Sequence, residues 1–241
     1  MPRMAQPDEV TCGPTCLHQV FLFYRDVRPL PQILEALQRN PDGGTLAVYL
    51  GLTALSLGYH AALYPLGLRI VDPTWRGWSL QNIRERLVQR ARVQTDDGLR
   101  AEHEAYVQFL DLGGKLFVEE LSPALLVRIL KREHPVICGL SATYLYGTMR
   151  ERSDDLEYDD LRGESTGHFV VLCGYTGSGL HFHVRDPSVH VPFSATGRYT
   201  VGAQRLTNAI LLGDATRDAV LLEVWPKSKP RAPTGPDPRP A

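Results

Sequence analysis

A cysteine in the run Thr11-Cys12-Gly13-Pro14 and a histidine in the run Gly167-His168-Phe169-Val170 are the two side chains best placed for nucleophilic chemistry. Downstream of Cys12, Leu17, Val20, Phe21 and Tyr24 recur at helical spacing. A helix is therefore expected to start near Cys12 or Gly13, with Pro14 tolerated in its first turn, where a backbone N–H has no helical partner anyway. A thiol at that point sits among unpaired N–H groups and at the positive end of the helix dipole, both of which favour negative charge. It still needs a base within hydrogen-bond reach and a third group to orient that base. His168 and Asp186 are the expected pair. Strands are expected on either side of Thr176-Gly177-Ser178-Gly179, a hairpin signal. If paired residue numbers sum to about 354, His168 stands opposite Asp186 and shares a face with Val170, Leu172, Phe182 and Val184. The Cys12 helix is expected to pack against that apolar face. Gln6 lies upstream on a segment able to fold back, where its amide and the Cys12 N–H would together form an oxyanion hole.

The remaining chemistry-bearing residues have plainer readings. Cys16, Cys138 and Cys173 read as small buried hydrophobes, and all four cysteines as reduced thiols, since a chain of 241 residues needs no disulfide staples. Without its neighbours, Cys12 would be one more structural thiol, His168 a strand-edge histidine, and Asp186-Pro187 a turn opener. His181 and His183 share a strand face but lack an evident third metal ligand, and Cys12 with Cys16 lacks a second pair; no metal is expected. The acidic run from Asp154 to Asp160 lacks the alternating oxygen ligands and glycine of a calcium loop. It reads as solvated, or second as a cover over the site. Arg84, Arg86, Arg90 and Arg92 read as one exposed helix face.

The elements that must position these residues divide in two. Helices are expected over 31–39, 45–57, 80–92, 101–112 and 123–133, so the first two thirds reads as mainly helical. Strands follow over 136–140, 169–175, 180–185 and 220–225, rich in β-branched and aromatic residues. The polar stretch Thr148 to Gly167 is expected to be a mobile loop. The tail from Pro226 to Ala241 holds six of the 18 prolines and almost nothing apolar, and is expected to be disordered. With 26 basic and 27 acidic residues the net charge is -1, so no field favours nucleic acid or an anionic membrane. No apolar run approaches the roughly 20 residues of a membrane span, and Met1 to Val10 lacks a secretory apolar core. A soluble, cytoplasmic chain is expected, with one domain over 1–225.

The run Gln6-Pro7-Asp8-Glu9-Val10-Thr11-Cys12-Gly13-Pro14-Thr15-Cys16-Leu17, followed by Gly167-His168-Phe169-Val170-Val171-Leu172 and Arg185-Asp186-Pro187, resembles cysteine peptidase family 39 and its stand-alone relatives. These form the papain-like group that includes the bacteriocin-leader processing domains. The resemblance implies an α+β papain-like fold with Cys12 as nucleophile, His168 as base, Asp186 as its orienter and Gln6 as oxyanion donor. It implies a peptide or protein substrate and no cofactor. Two alternatives stand beside a peptidase: an acyltransferase or amidase using the same Cys-His-Asp site, and an inactive module that binds a leader peptide.

Overall fold

The computed structural model describes residues 1–39, 44–155, 157–217 and 219–227. Among them seven strands form one mixed sheet: β1 (Tyr59–Pro65), β2 (Lys115–Leu116), β3 (Val136–Ser141), β4 (Gly167–Tyr175), β5 (His181–Arg185), β6 (Arg198–Gly202) and β7 (Val220–Pro226). Their order is β2-β1-β7-β3-β4-β5-β6, with β1 and β2 parallel and the other neighbours antiparallel. The helices are α1 (Cys12–Phe23), α2 (Leu30–Ala36), α3 (Ala47–Ser56), α4 (Leu80–Val93), α5 (Asp97–Asp111), α6 (Pro123–Leu130), α7 (Ala142–Tyr146) and α8 (Ala203–Leu212). The class is α+β, as expected.

Both faces of the sheet are covered, which explains the unbroken apolar run Phe169-Val170-Val171-Leu172: alternate side chains enter different cores. Phe169 and Val171 of β4 join Ile137 of β3 and Cys16, Leu17, Val20 and Phe21 of α1 in one core, with α3 and α5. Val170 and Leu172 join Phe182 and Val184 of β5, Leu125, Leu126 and Ile129 of α6, and Leu206, Ala209 and Ile210 of α8 in the other. This corrects the expected packing of the Cys12 helix on the Val170 face. Helix α1 lies on the opposite face, where its apolar stripe meets the odd-numbered residues of β4.

The hairpin register is corrected as well. Val171 pairs with Arg185 and Leu172 with Val184, two residues out from expectation, and a bulge at Cys173 shifts the pairing again to Gly174 with His183 and Tyr175 with Phe182. Before the bulge the even offset leaves each side chain on its expected face; beyond it the offset is odd, and Tyr175 packs with Val170 and Leu172 instead of with Phe169 and Val171. The first two thirds is also less helical than expected, because β1 enters the sheet between β2 and β7. Its Tyr-His-Ala-Ala-Leu-Tyr-Pro is buried on both faces, with Ala61 and Leu63 in one core and Ala62 and Tyr64 in the other. The alanines hid a strand that alternation would otherwise have revealed. The loop expected between Thr148 and Gly167 is tied to itself: Glu151 exchanges backbone hydrogen bonds with Glu164 at 3.1 and 2.8 Å, and the Gly163 N–H donates to Asp159 O at 3.0 Å. Of the tail, residues 228–241 lie outside the described residues.

Candidate active site

Helix α1 begins at Cys12, with Thr11 at its N-cap position. The Thr11 side chain does not cap the helix; its hydroxyl donates instead to Asp8 O at 3.2 Å. The first-turn N–H groups beside the Cys12 thiol are thus left uncapped by that side chain, and Pro14 brings none of its own. Gly13 lets the helix start lie close to its neighbours: a Cβ there would come within 2.8 Å of Thr45 Cγ2, 3.1 Å of Leu50 Cδ1 and 3.2 Å of Phe169 Cδ2. Phe169 adjoins His168, so the absence of one methyl group sets how near the thiol comes to the start of β4.

His168 is 7% exposed and Asp186 is fully buried. The imidazole Nε2 lies 2.8 Å from Asp186 Oδ1, which leaves Nδ1 for a second partner, and the Cys12 side chain is near enough to act on the charge of the same ring. The structure brings these two side chains together, with Asp186 reaching His168 diagonally from just beyond the end of β5 rather than directly across the ladder. Burial alone would lower the His168 pKa. The Asp186 carboxylate and the Cys12 side chain outweigh that and raise it from 6.5 to about 10.

A buried carboxylate needs partners for all its lone pairs. Asp186 Oδ1 accepts from the Ser188 N–H at 3.0 Å as well as meeting His168. Oδ2 accepts from the Tyr146 hydroxyl at 2.9 Å and the Tyr199 hydroxyl at 2.7 Å. Burial pushes the Asp186 pKa up, but His168, Tyr199 and the Ser188 N–H together hold it below the ordinary carboxylate range. Burial, and then the Asp186 charge, push both tyrosines far above theirs. The two tyrosines escaped sequence reasoning. They come from α7 and β6, elements that lack a distinctive pattern, and nothing in their spacing points to Asp186.

Gln6 is 9% exposed and lies beside this loop, its backbone N–H donating to Pro187 O at 2.9 Å. Its Nε2 donates one hydrogen to Asp8 O at 2.8 Å, and Oε1 has no partner. An amide nitrogen carries two hydrogens, so one donor remains. The other cysteines differ from Cys12. Cys16 and Cys138 are fully buried, whereas Cys12 and Cys173 are partly exposed, and all four are free thiols. Burial raises the pKa of Cys16, Cys138 and Cys173, with the nearby Cys12 adding to the effect at Cys16. Among the described residues no three His, Cys, Asp or Glu side chains gather as a metal site requires, and His183 Nδ1 lies 3.2 Å from Thr200 Oγ1. A thiol, an imidazole and an ionised carboxylate joined in this way can move a proton from sulfur to nitrogen and present the sulfur to an electrophilic carbon.

No helix among the described residues is long and apolar enough to cross a membrane. No family model matches the sequence. No curated protein matches it. Among solved structures the chain is similar to a crystal structure from Bacillus anthracis named C39-like peptidase, a name that states a likeness rather than an assayed activity. That similarity has a TM-score of 0.47 at 14% identity, over 95% of this chain and 96% of the other, a level that assigns no activity and no residue roles.

Proposed function

We propose that residues 1–225 form a papain-like cysteine peptidase domain that hydrolyses a peptide or isopeptide bond through an acyl-thioester on Cys12. The observation that carries this reading is the buried His168–Asp186 pair, with the thiol at the first turn of α1 near enough to act on the imidazole's charge. His168 Nδ1 takes the proton from Cys12 Sγ, and the sulfur attacks the carbonyl carbon. The Cys12 N–H and the remaining Gln6 Nε2 hydrogen receive the developing oxyanion, and the imidazolium protonates the leaving amine. Water, deprotonated by His168, then attacks the thioester carbon, and the acid product leaves with Cys12 restored as a thiol.

The test is to incubate the full chain with a mixed peptide library and read new peptide ends by mass spectrometry. New ends are expected from the wild type and should vanish in Cys12→Ala and His168→Ala. New ends persisting in Cys12→Ala would overturn the reading. Adding a small amine to the same incubation separates hydrolysis from acyl transfer, because a transferase caps the new C-terminal ends with the amine and a peptidase leaves them as free acids. Once a cleaved peptide is in hand, Gln6→Ala should lower its turnover roughly 10- to 1,000-fold with little change in binding, since an oxyanion donor acts mainly in the transition state.

A further inference from the structure

The segment preceding Gln6 runs along the loop that carries Asp186 and is fixed to it by one side chain. Arg3 Nε donates to Asp186 O at 2.8 Å, and its Nη2 to Pro187 O at 3.2 Å and Ser188 O at 2.6 Å. A single guanidinium thus holds three successive carbonyls of a turn that has left the sheet and has no ladder to satisfy them. The turn itself is arranged to admit that group. Gly197 has φ +61, and a Cβ on it would fall 2.5 Å from Arg3 Nε and 2.4 Å from Asp186 O. Its carbonyl also receives the Asp186 N–H at 2.8 Å. Adjacent residues tie the same segment elsewhere. The Met4 N–H donates to Gln19 Oε1 of α1 at 3.3 Å, the Gln6 N–H to Pro187 O at 2.9 Å, and Arg185 Nε to Met1 O at 3.2 Å.

We infer that Arg3 is a positioning residue: it sets Asp186, and through it His168, in register with Gln6 and with the helix that bears Cys12. The inference rests on the peptidase reading above and deepens it. Arg3 touches neither the thiol nor the imidazole and acts through the Asp186–Ser188 backbone. Two parts of the site arrive on different elements, the His168–Asp186 pair on the sheet rim and the Cys12 thiol on α1, and the segment 1–6 is hydrogen-bonded to both. Displacing such a brace by an ångström is enough to cost reactivity that a distant surface change would not.

The experiment needs no substrate. The rate at which iodoacetamide alkylates Cys12 is followed by peptide mapping across pH in the full chain, for wild type, His168→Ala, Arg3→Ala and Arg3→Lys, alongside thermal unfolding of each. Arg3→Ala should alkylate Cys12 about tenfold more slowly near neutral pH, with the alkaline limb of its profile moved toward lower pH. Arg3→Lys keeps the charge but cannot serve three carbonyls, so it should fall between the two, and it keeps the test open if Arg3→Ala fails to fold. Added methylguanidinium should restore the Arg3→Ala rate and do nothing for Asp186→Asn, a response that loss of stability alone would not produce. If both Arg3 variants keep the wild-type profile while His168→Ala alters it, the inference is overturned and the peptidase reading stands. If His168→Ala leaves the Cys12 rate unchanged in the wild-type background, the peptidase reading fails and the inference fails with it.

Discussion

Asp186 is a negative charge with no solvent exposure, and four donors converge on its two oxygens. Such a group is costly unless every lone pair is met, so removing one donor leaves part of that cost uncovered. Tyr199→Phe, which deletes the 2.7 Å bond and little else, should lower stability by about 1–3 kcal/mol, read by denaturant unfolding. The pH dependence follows from the directions of the two shifts. His168 is raised above its unfolded value, so its contribution to stability is complete below about pH 6.5 and is lost as pH rises through about 10. Asp186 is lowered, so its contribution is present above the ordinary carboxylate range and is lost as acid protonates it. Asp186→Asn removes the charge that holds the imidazolium. The alkaline limb of Cys12 alkylation should then move down from near pH 10 by one or more units, and an unmoved limb would show that Asp186 does not act on His168. Within one helix, Cys16 is the control for Cys12: it is fully buried, its thiol pKa is raised, and its Sγ lies 3.2 Å from Phe169 O. Iodoacetamide should label Cys12 first.

Helix α1 and strands β4 and β5 were largely legible, because periodicity and turn residues mark where an element starts and which side chains share a face. What the sequence lacked was which face meets which helix. Val170 and Val171 are equally apolar, and only the three-dimensional packing assigns one to α8 and the other to α1. The bulge at Cys173 was hidden for a similar reason, since an extra residue in an apolar strand leaves no mark in composition. Helix α8 did carry a signal, Leu206 and Ile210 one turn apart, that went unread. At the junction of α1 with β4, Gly13→Ala must push back Thr45, Leu50 or Phe169, with an expected loss of roughly 1–3 kcal/mol and slower Cys12 alkylation. Helix α5 gives an independent test of burial. Glu102 is 4% exposed, its Oε2 has no partner, and desolvation raises its pKa from 4.5 to about 7, against the pull of Arg69 and Arg217. The folded state therefore binds a proton that the unfolded state releases, and stability should fall as pH rises from about 4.5 to about 7. Glu102→Gln should flatten that slope and raise stability above pH 7 by a few kcal/mol, measured by thermal unfolding across pH.

Taken as a molecule, the chain places the candidate site at the rim of a sheet covered on both sides, with the thiol on the helix of one layer and the imidazole at the start of an interior strand. The candidate residues and their order were readable from three short motifs, but the supports around them were not. Tyr146, Tyr199 and Arg3 are ordinary residues whose roles exist only once β5, β6 and the first residues have met. That meeting has a temporal side. The hydrogen bonds of Arg3 to Asp186, Pro187 and Ser188 join positions more than 180 apart in the chain. A growing polypeptide emerges from its N-terminus onward, so Cys12 leaves the ribosome long before the groups that would act on it. Until His168 and the Asp186 loop have been made, the thiol has no imidazole and residues 1–6 have no loop to bind. On the proposed peptidase reading, reactivity is withheld from the nascent chain and from its neighbours on the same message until β6 has been made. Ribosome-stalled chains ending before His168 should alkylate Cys12 at the rate of an ordinary exposed thiol, and those extended past Gly202 and clear of the ribosome should do so at the rate of the finished protein.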